Sequence, residues 1–214
     1  MSQSDRQPLR LSVFASGSGT NFSAILKEID AGKLNARVVC LVVNRQDCGA
    51  AETARDRDIP VHFFDNQYFG QDVPVASEIV EQLSALDTEY IVLAGFLRMI
   101  PGQLLQAFHQ RVLNIHPALL PAFGGKGMYG ARVHQAVYDS GVTVSGATIH
   151  IVDEQYDDGP ILLQEAVDLD RIEDTPETIQ QKVLQVEHHL YARALQLLAQ
   201  YNVEIKEGRI KLWQ

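Results

Sequence analysis

Asn114 and His116 stand two residues apart in V-L-N-I-H-P-A-L-L-P, residues 112–121. An extended chain sends positions i and i+2 to one face, so a single surface receives one amide and one imidazole. The amide can donate to an oxygen that is gaining negative charge, and the imidazole can donate or shuttle a proton. Together they suit acyl transfer through a tetrahedral intermediate. The pair lacks a carboxylate, and Asp157 in D-E-Q-Y-D-D-G-P is the best candidate to supply one. Taken singly, the three residues also admit plainer readings: Asn114 as a strand-end cap, His116 as a satisfied core histidine and Asp157 as a turn former.

The elements that must position them can be read around them. Val112 to His116 is a short apolar run with β-branched residues, and Pro117 ends it because proline brings no N–H to a ladder. The pair therefore sits at the carboxyl end of a strand, where open α/β sheets hold their ligands. Asp157 lies between two strand-like runs, Thr148 to Val152 and Ile161 to Val167, with Gly159-Pro160 marking the turn.

Far upstream, the strand Leu9 to Ala15 leads into S-G-S-G-T-N and then a helical pattern through Phe22, Ile25, Leu26 and Ile29, closed by Gly32. Such a turn aims backbone N–H groups and the positive end of a helix dipole at an anion. Phe22 occupies the place of the third glycine of a dinucleotide fingerprint, and the next strand, Arg37 to Val43, ends in Asn44-Arg45 without the acid that would hold a ribose. A Walker loop is excluded for want of Gly-Lys-Ser/Thr. One phosphate held by Gly19, Thr20 and Asn21 is the functional reading; a tight turn that binds nothing is the plain one.

The remaining segments continue the alternation of strand and helix. A helix is expected over Gly49 to Arg57, then V-H-F-F with His62 and Phe63-Phe64 as core, and a polar stretch from Asp65 to Pro74. A helix carrying Ile79, Val80, Leu83 and Leu86 follows, then the strand Tyr90 to Ala94 and G-F-L-R-M-I-P. F-G-G-K-G-M-Y-G reads either as a mobile loop with Lys126 available to an anion or as an exposed connection with a solvated lysine. After a helix from Ala131 to Tyr138, the run G-V-T-V-S-G-A-T-I-H-I-V changes apolar phase near Gly146, which predicts a bulge or kink there. His150 in that run could face the site or cap polar neighbours. The last helix has Thr175 at its cap, Pro176 at its first position and an apolar stripe of Ile179, Val183, Val186, Leu190, Ala194 and Leu197. Glu187 stands beside that stripe, reaching toward a site or lying as a rim charge. A hairpin around Glu207-Gly208 closes the chain. The whole predicts an α/β fold of three layers, a mostly parallel twisted sheet with helices on both faces.

Composition narrows the partners. A chain of 214 residues, 46% hydrophobic, can bury a core and fits one α/β domain. A net charge of -9 and a pI near 5.2 argue against nucleic acid and anionic membranes, so an anionic substrate would be held by local donors. Cys40 and Cys48 lie in neither a redox nor a zinc spacing, which predicts reduced thiols. M-S-Q-S-D-R-Q-P has no apolar signal core, and no run approaches the ~18 apolar residues of a membrane span. A cytoplasmic protein is expected. None of the seven histidines shows H-x-x-x-H or H-E-x-x-H spacing, so no metal is expected.

With S-G-S-G-T-N-F, A-G-F-L-R-M-I, N-I-H-P-A-L-L-P, V-D-E-Q-Y-D-D-G-P and V-E-H in place, nearly the whole chain resembles the phosphoribosylglycinamide formyltransferases, folate-dependent enzymes of purine synthesis. The resemblance implies a Rossmann-like formyltransferase domain over residues 1–214, with a phosphate-binding half at about 9–110 and a folate and catalytic half at about 111–214. It implies transfer of a formyl group from 10-formyltetrahydrofolate to the amine of phosphoribosylglycinamide, by a monomer or homodimer without metal. Carried over by position, Asn114, His116 and Asp157 become the catalytic trio, with a protonated His116 donating to the formyl oxygen. Gly19, Thr20 and Asn21 would hold the substrate phosphate, and Leu184 with Glu187 would border the glycinamide. Leu97, Arg98, Met99 and Ile100, with Asn114, Asp153, Glu154, Gln155, Tyr156 and Asp157, would line the folate pocket. Members often carry a folate-contacting arginine in the stretch matching Asp65 to Pro74, where this chain has none. Formyltetrahydrofolate deformylases and methionyl-tRNA formyltransferases share the trio but are each expected with a further domain, and a silent folate or nucleotide binder is the alternative of another class.

Overall fold

The computed structural model describes residues 7–69 and 76–213; residues 70–74 of the polar stretch therefore lie outside the described residues. One seven-stranded sheet runs in the order β3-β2-β1-β4-β5-β6-β7, and β8 and β9 pair as a separate hairpin. The chain divides into two compact units, Met1–Leu113 and Asn114–Gln214.

The first unit holds β1 (Leu9–Ala15), α1 (Thr20–Asp30), β2 (Ala36–Val43), α2 (Gly49–Arg55), β3 (Val61–Phe63), α3 (Ala76–Ala85), β4 (Tyr90–Leu93) and α4 (Gly102–Ala107). β1 pairs in parallel with both β2 and β4, and β2 with β3. Parallel strands connected by helices are covered on both faces, which is why β2 reads A-R-V-V-C-L-V-V and is buried at every position but Arg37. Phe14 of β1 meets Phe96 edge to face at 5.4 Å, and Phe69 meets Phe96 at 4.8 Å, an aromatic cluster beneath the loop that follows β4. Two readings change here. Phe64 is buried but Phe63 is exposed, because three residues of edge strand turn them to opposite faces. The segment after β4 contains the short helix α4, too brief for its period to show in G-Q-L-L-Q-A.

β5 (Val112–His116) straddles the division. The second unit continues with α5 (Ala131–Ser140), β6 (Val144–Ile151), β7 (Ile161–Asp168), α6 (Pro176–Gln200), β8 (Asn202–Lys206) and β9 (Arg209–Trp213). β6 and β7 are antiparallel. Their register runs unbroken through Gly146 and shifts between Ile149 and His150, so the expected irregularity lies three residues further on. The apparent change of phase at Gly146 has another cause: β6 is buried on both faces from Ser145 to Ile151, so no alternation exists to be interrupted. Gly146 is there for space, since a Cβ would meet the Glu165 carbonyl and the Leu119 side chain. α6 begins as expected, Thr175 capping the Thr178 N–H with Pro176 in the first turn.

Candidate active site

The glycine loop belongs to the first unit. Gly19 caps α1 at φ 76, no side-chain hydrogen bond closes that cap, and the Gly19 carbonyl accepts from the Ser23 N–H at 2.8 Å. A Cβ on Gly19 would stand 2.7 Å from the Ala50 Cα, so both backbone shape and packing require glycine. Asn21 is buried and Thr20 exposed. Ser16 ties this loop to the stretch after β4: its N–H donates to the Gly95 carbonyl and its hydroxyl accepts from the Leu97 N–H at 3.1 Å. Leu97 and Arg98 are exposed, Met99 half-buried and Ile100 buried.

The side-chain chemistry belongs to the second unit. Asn114 and His116 project from β5, and Asp157 sits in the β6–β7 connection at φ 55. His116 Nδ1 is 3.5 Å from Asp157 Oδ2, and His116 Nε2 donates to the Phe123 carbonyl at 2.8 Å. The sequence left His150 open; its Nε2 lies 3.6 Å from Asp157 Oδ1 and 3.1 Å from the Asn114 amide nitrogen. His150 thus links Asn114 to Asp157. In the tautomer whose Nε2 accepts, His150 takes one of the two Asn114 amide protons and leaves the other. Gly125 N–H donates to Asp157 Oδ2 at 3.0 Å, which gives the glycine-rich loop a contact with the trio while Lys126 stays exposed. Gly159 explains the D-x-G-P spacing, since a Cβ there would collide with the Ile151 carbonyl.

Of the other expected residues in this unit, Asp153 accepts from the Gln155 N–H in a tight turn, with Glu154, Gln155 and Tyr156 exposed. Glu187 is buried on α6 with half-buried Leu184 one turn before it, which removes the rim-charge reading. Among the described residues, no group of three or more His, Cys, Asp or Glu is placed to hold a metal ion.

The formyl transferase family pattern matches residues 9–195. The chain is 45% identical over 214 residues to the chloroplastic phosphoribosylglycinamide formyltransferase of Arabidopsis thaliana, covering 99% of this chain and 73% of that one. It is 37% identical to the phosphoribosylglycinamide formyltransferase of Bacillus subtilis (strain 168), covering 90% and 96%. The crystal structure of glycinamide ribonucleotide transformylase 1 from Symbiobacterium toebii matches 97% of the chain at a TM-score of 0.87 and 34% identity, covering 95% of that chain. The chain belongs to the phosphoribosylglycinamide formyltransferase family.

In this formyltransferase the electrostatics of the trio differ from the expectation in one respect. Burial lowers His116 below the ordinary histidine value, and the Asp157 carboxylate and the Phe123 carbonyl, which both pull it up, do not overcome that. The resting imidazole is therefore neutral at pH 7, not protonated, with Nε2–H directed to Phe123 and the Nδ1 lone pair beside Asp157. Asp157 behaves oppositely. Burial pushes its carboxyl up, but the hydrogen bonds from His150 and the Gly125 N–H, with the charge that His116 carries when protonated, hold it below the ordinary aspartate value. A neutral base thus stands beside a fixed negative charge that favours its protonation.

Proposed function

We propose that the chain transfers the formyl group of 10-formyltetrahydrofolate to the amine of phosphoribosylglycinamide, the arrangement of Asn114, His116, His150 and Asp157 being the observation that carries this reading. The folate co-substrate supplies an activated formyl group. Asn114 offers the amide proton left over from His150 to the formyl oxygen as negative charge grows there. Neutral His116 receives the proton the attacking amine gives up, directly or through water, and returns it to the folate nitrogen as the carbon–nitrogen bond breaks. Asp157 stabilises the imidazolium in between, at 3.5 Å.

Gly19, Thr20 and Asn21 hold the substrate phosphate at the uncapped start of α1, which suits an acidic protein that has no basic field to offer. Leu184 and Glu187 border the glycinamide. Leu97 to Ile100 and Asp153 to Asp157 line the folate site. The domain is read as one functional whole, monomeric or homodimeric, with small-molecule partners alone and a cytoplasmic location. Among the described residues no helix is long and apolar enough to cross a membrane.

The test is purified protein with 10-formyltetrahydrofolate, following release of the deformylated folate with and without phosphoribosylglycinamide. Release that requires the glycinamide, with a formylated product, supports the proposal. Release without it points to a deformylase, and no release in either case to a binder.

A further inference from the structure

Thr148 lies on β6 two residues before His150, on the near side of the register shift. It is fully buried, and its hydroxyl is saturated. It donates to the Ala118 carbonyl at 2.7 Å and accepts from the Leu120 N–H at 3.0 Å and from Gln164 Nε2 at 2.9 Å. Gln164, its directly opposite partner on β7, also donates to the Leu120 carbonyl at 2.9 Å. A carbonyl can only accept, so the nitrogen of the Gln164 amide has to face this cluster. Three hydrogen bonds thus fasten residues 118–120, the segment that leaves His116, and a fourth joins Gln164 to Thr148.

That segment leads directly to the backbone groups that hold the trio. Phe123 presents its carbonyl to His116 Nε2, and Gly125 presents its N–H to Asp157. Between them Gly124 packs so closely that a Cβ would meet the Leu120 side chain and the Asp157 Cβ. Leu119, next to the clamp, fills the space left open at Gly146. We infer that Thr148 and Gln164 are positioning residues: by fastening residues 118–120 they set the Phe123 carbonyl and Gly125 N–H that aim His116 and Asp157. The inference rests on the proposed role of the trio. Neither side chain touches a member of the trio in a hydrogen bond, so their effect passes through the backbone.

The test uses Thr148→Val, Thr148→Ser, Gln164→Leu and, as a control on the trio itself, Asn114→Ala. Displacements of about 1 Å in a catalytic group can cost up to roughly 10²-fold, so Thr148→Val is expected to lower kcat at least tenfold with both KM values nearly unchanged. Losing the Phe123 contact also lowers the acid limb of the kcat profile, since that carbonyl raises His116; the other ionisable groups around His116 are Asp157, His150 and His134. Thr148→Ser, which keeps the hydroxyl, is expected to restore most of kcat. Gln164→Leu, on the exposed edge strand, should fold whether or not Thr148→Val does, and should show the same split more weakly. If Asn114→Ala collapses while Gln164→Leu keeps wild-type kcat and pH profile, the clamp is overturned and the trio stands. A Thr148→Ser variant as slow as Thr148→Val also overturns it. Wild-type turnover in Asn114→Ala removes the reading on which both depend.

Discussion

The glycine loop of the first unit and the trio of the second are built from opposite materials. The loop is built from closely packed backbone: Gly19 at φ 76 stands where a Cβ would meet Ala50, and no side-chain hydrogen bond caps the helix start. The trio works with side chains whose charge states are set by burial and by one another, held 2.8 to 3.6 Å from their partners. A backbone site does not titrate, but a single added carbon can close it. A side-chain site responds to every proton gained or lost. The difference predicts that the two regions fail in different kinetic parameters and under different conditions.

The largest effect is expected at the trio. Losing one donor to a developing oxyanion typically costs about 10²–10³ in rate, so Asn114→Ala should fall by at least that order in kcat while folding normally, and Asp157→Asn, which removes the charge beside the imidazolium, should fall by a similar order. Steady-state rates with both substrates check this; turnover near wild type in either variant would sink the assignment.

Gly19→Ala tests the other half of the comparison. The new Cβ meets Ala50 in a left-handed backbone that costs about 1–2 kcal/mol for an L residue. The expected result is a lower melting temperature and a KM for phosphoribosylglycinamide raised more than tenfold, kcat being less affected. An unchanged KM would separate the loop from substrate binding.

Acid should distinguish the regions without any mutation. A neutral His116 with a lowered pKa means that kcat rises with pH along an acid limb lying below the ordinary histidine value of 6.5. A limb above that value contradicts a neutral resting imidazole. His134, behind His116 on α5, sharpens the same point in stability. Burial, and less so the neighbouring His116, pushes it down to about 4 from 6.5, and its Nδ1 has no hydrogen-bond partner among the described residues. The unfolded chain then binds a proton in that window that the folded chain refuses, so this group's contribution is present above pH 6.5 and is lost as pH falls toward 4. At 1.36 kcal/mol per unit the loss is at most about 3 kcal/mol. Denaturant melts at several pH values should show a shallower slope between 4 and 6.5 for His134→Gln than for the natural chain.

The smallest effect is expected outside both regions. Thr175→Ala removes the α6 cap and should cost about 1 kcal/mol of stability, read as a lower denaturation midpoint, with kcat and both KM values unchanged.

Much of the chain was legible because its elements are long or sharply punctuated. β1 between Leu9 and Ala15, α6 opening on Thr175-Pro176 and the hairpin around Glu207-Gly208 each carry a period and a stop that local physics sets. Asn114 and His116 on one strand face, and Asp157 before Gly159-Pro160, follow from spacing of two and from turn chemistry. Tertiary structure decided what depended on neighbours distant in sequence. Whether His150 faced the site rested on the position of Asp157 and Asn114, and the bulge lay beyond Gly146 because a strand buried on both faces has no alternation to read. Desolvation and the pull of one carboxylate act on His116 in opposite directions, a balance that only packing can set. Residue types and their periods are local properties, whereas dielectric and hydrogen-bond partners belong to whatever the fold brings alongside.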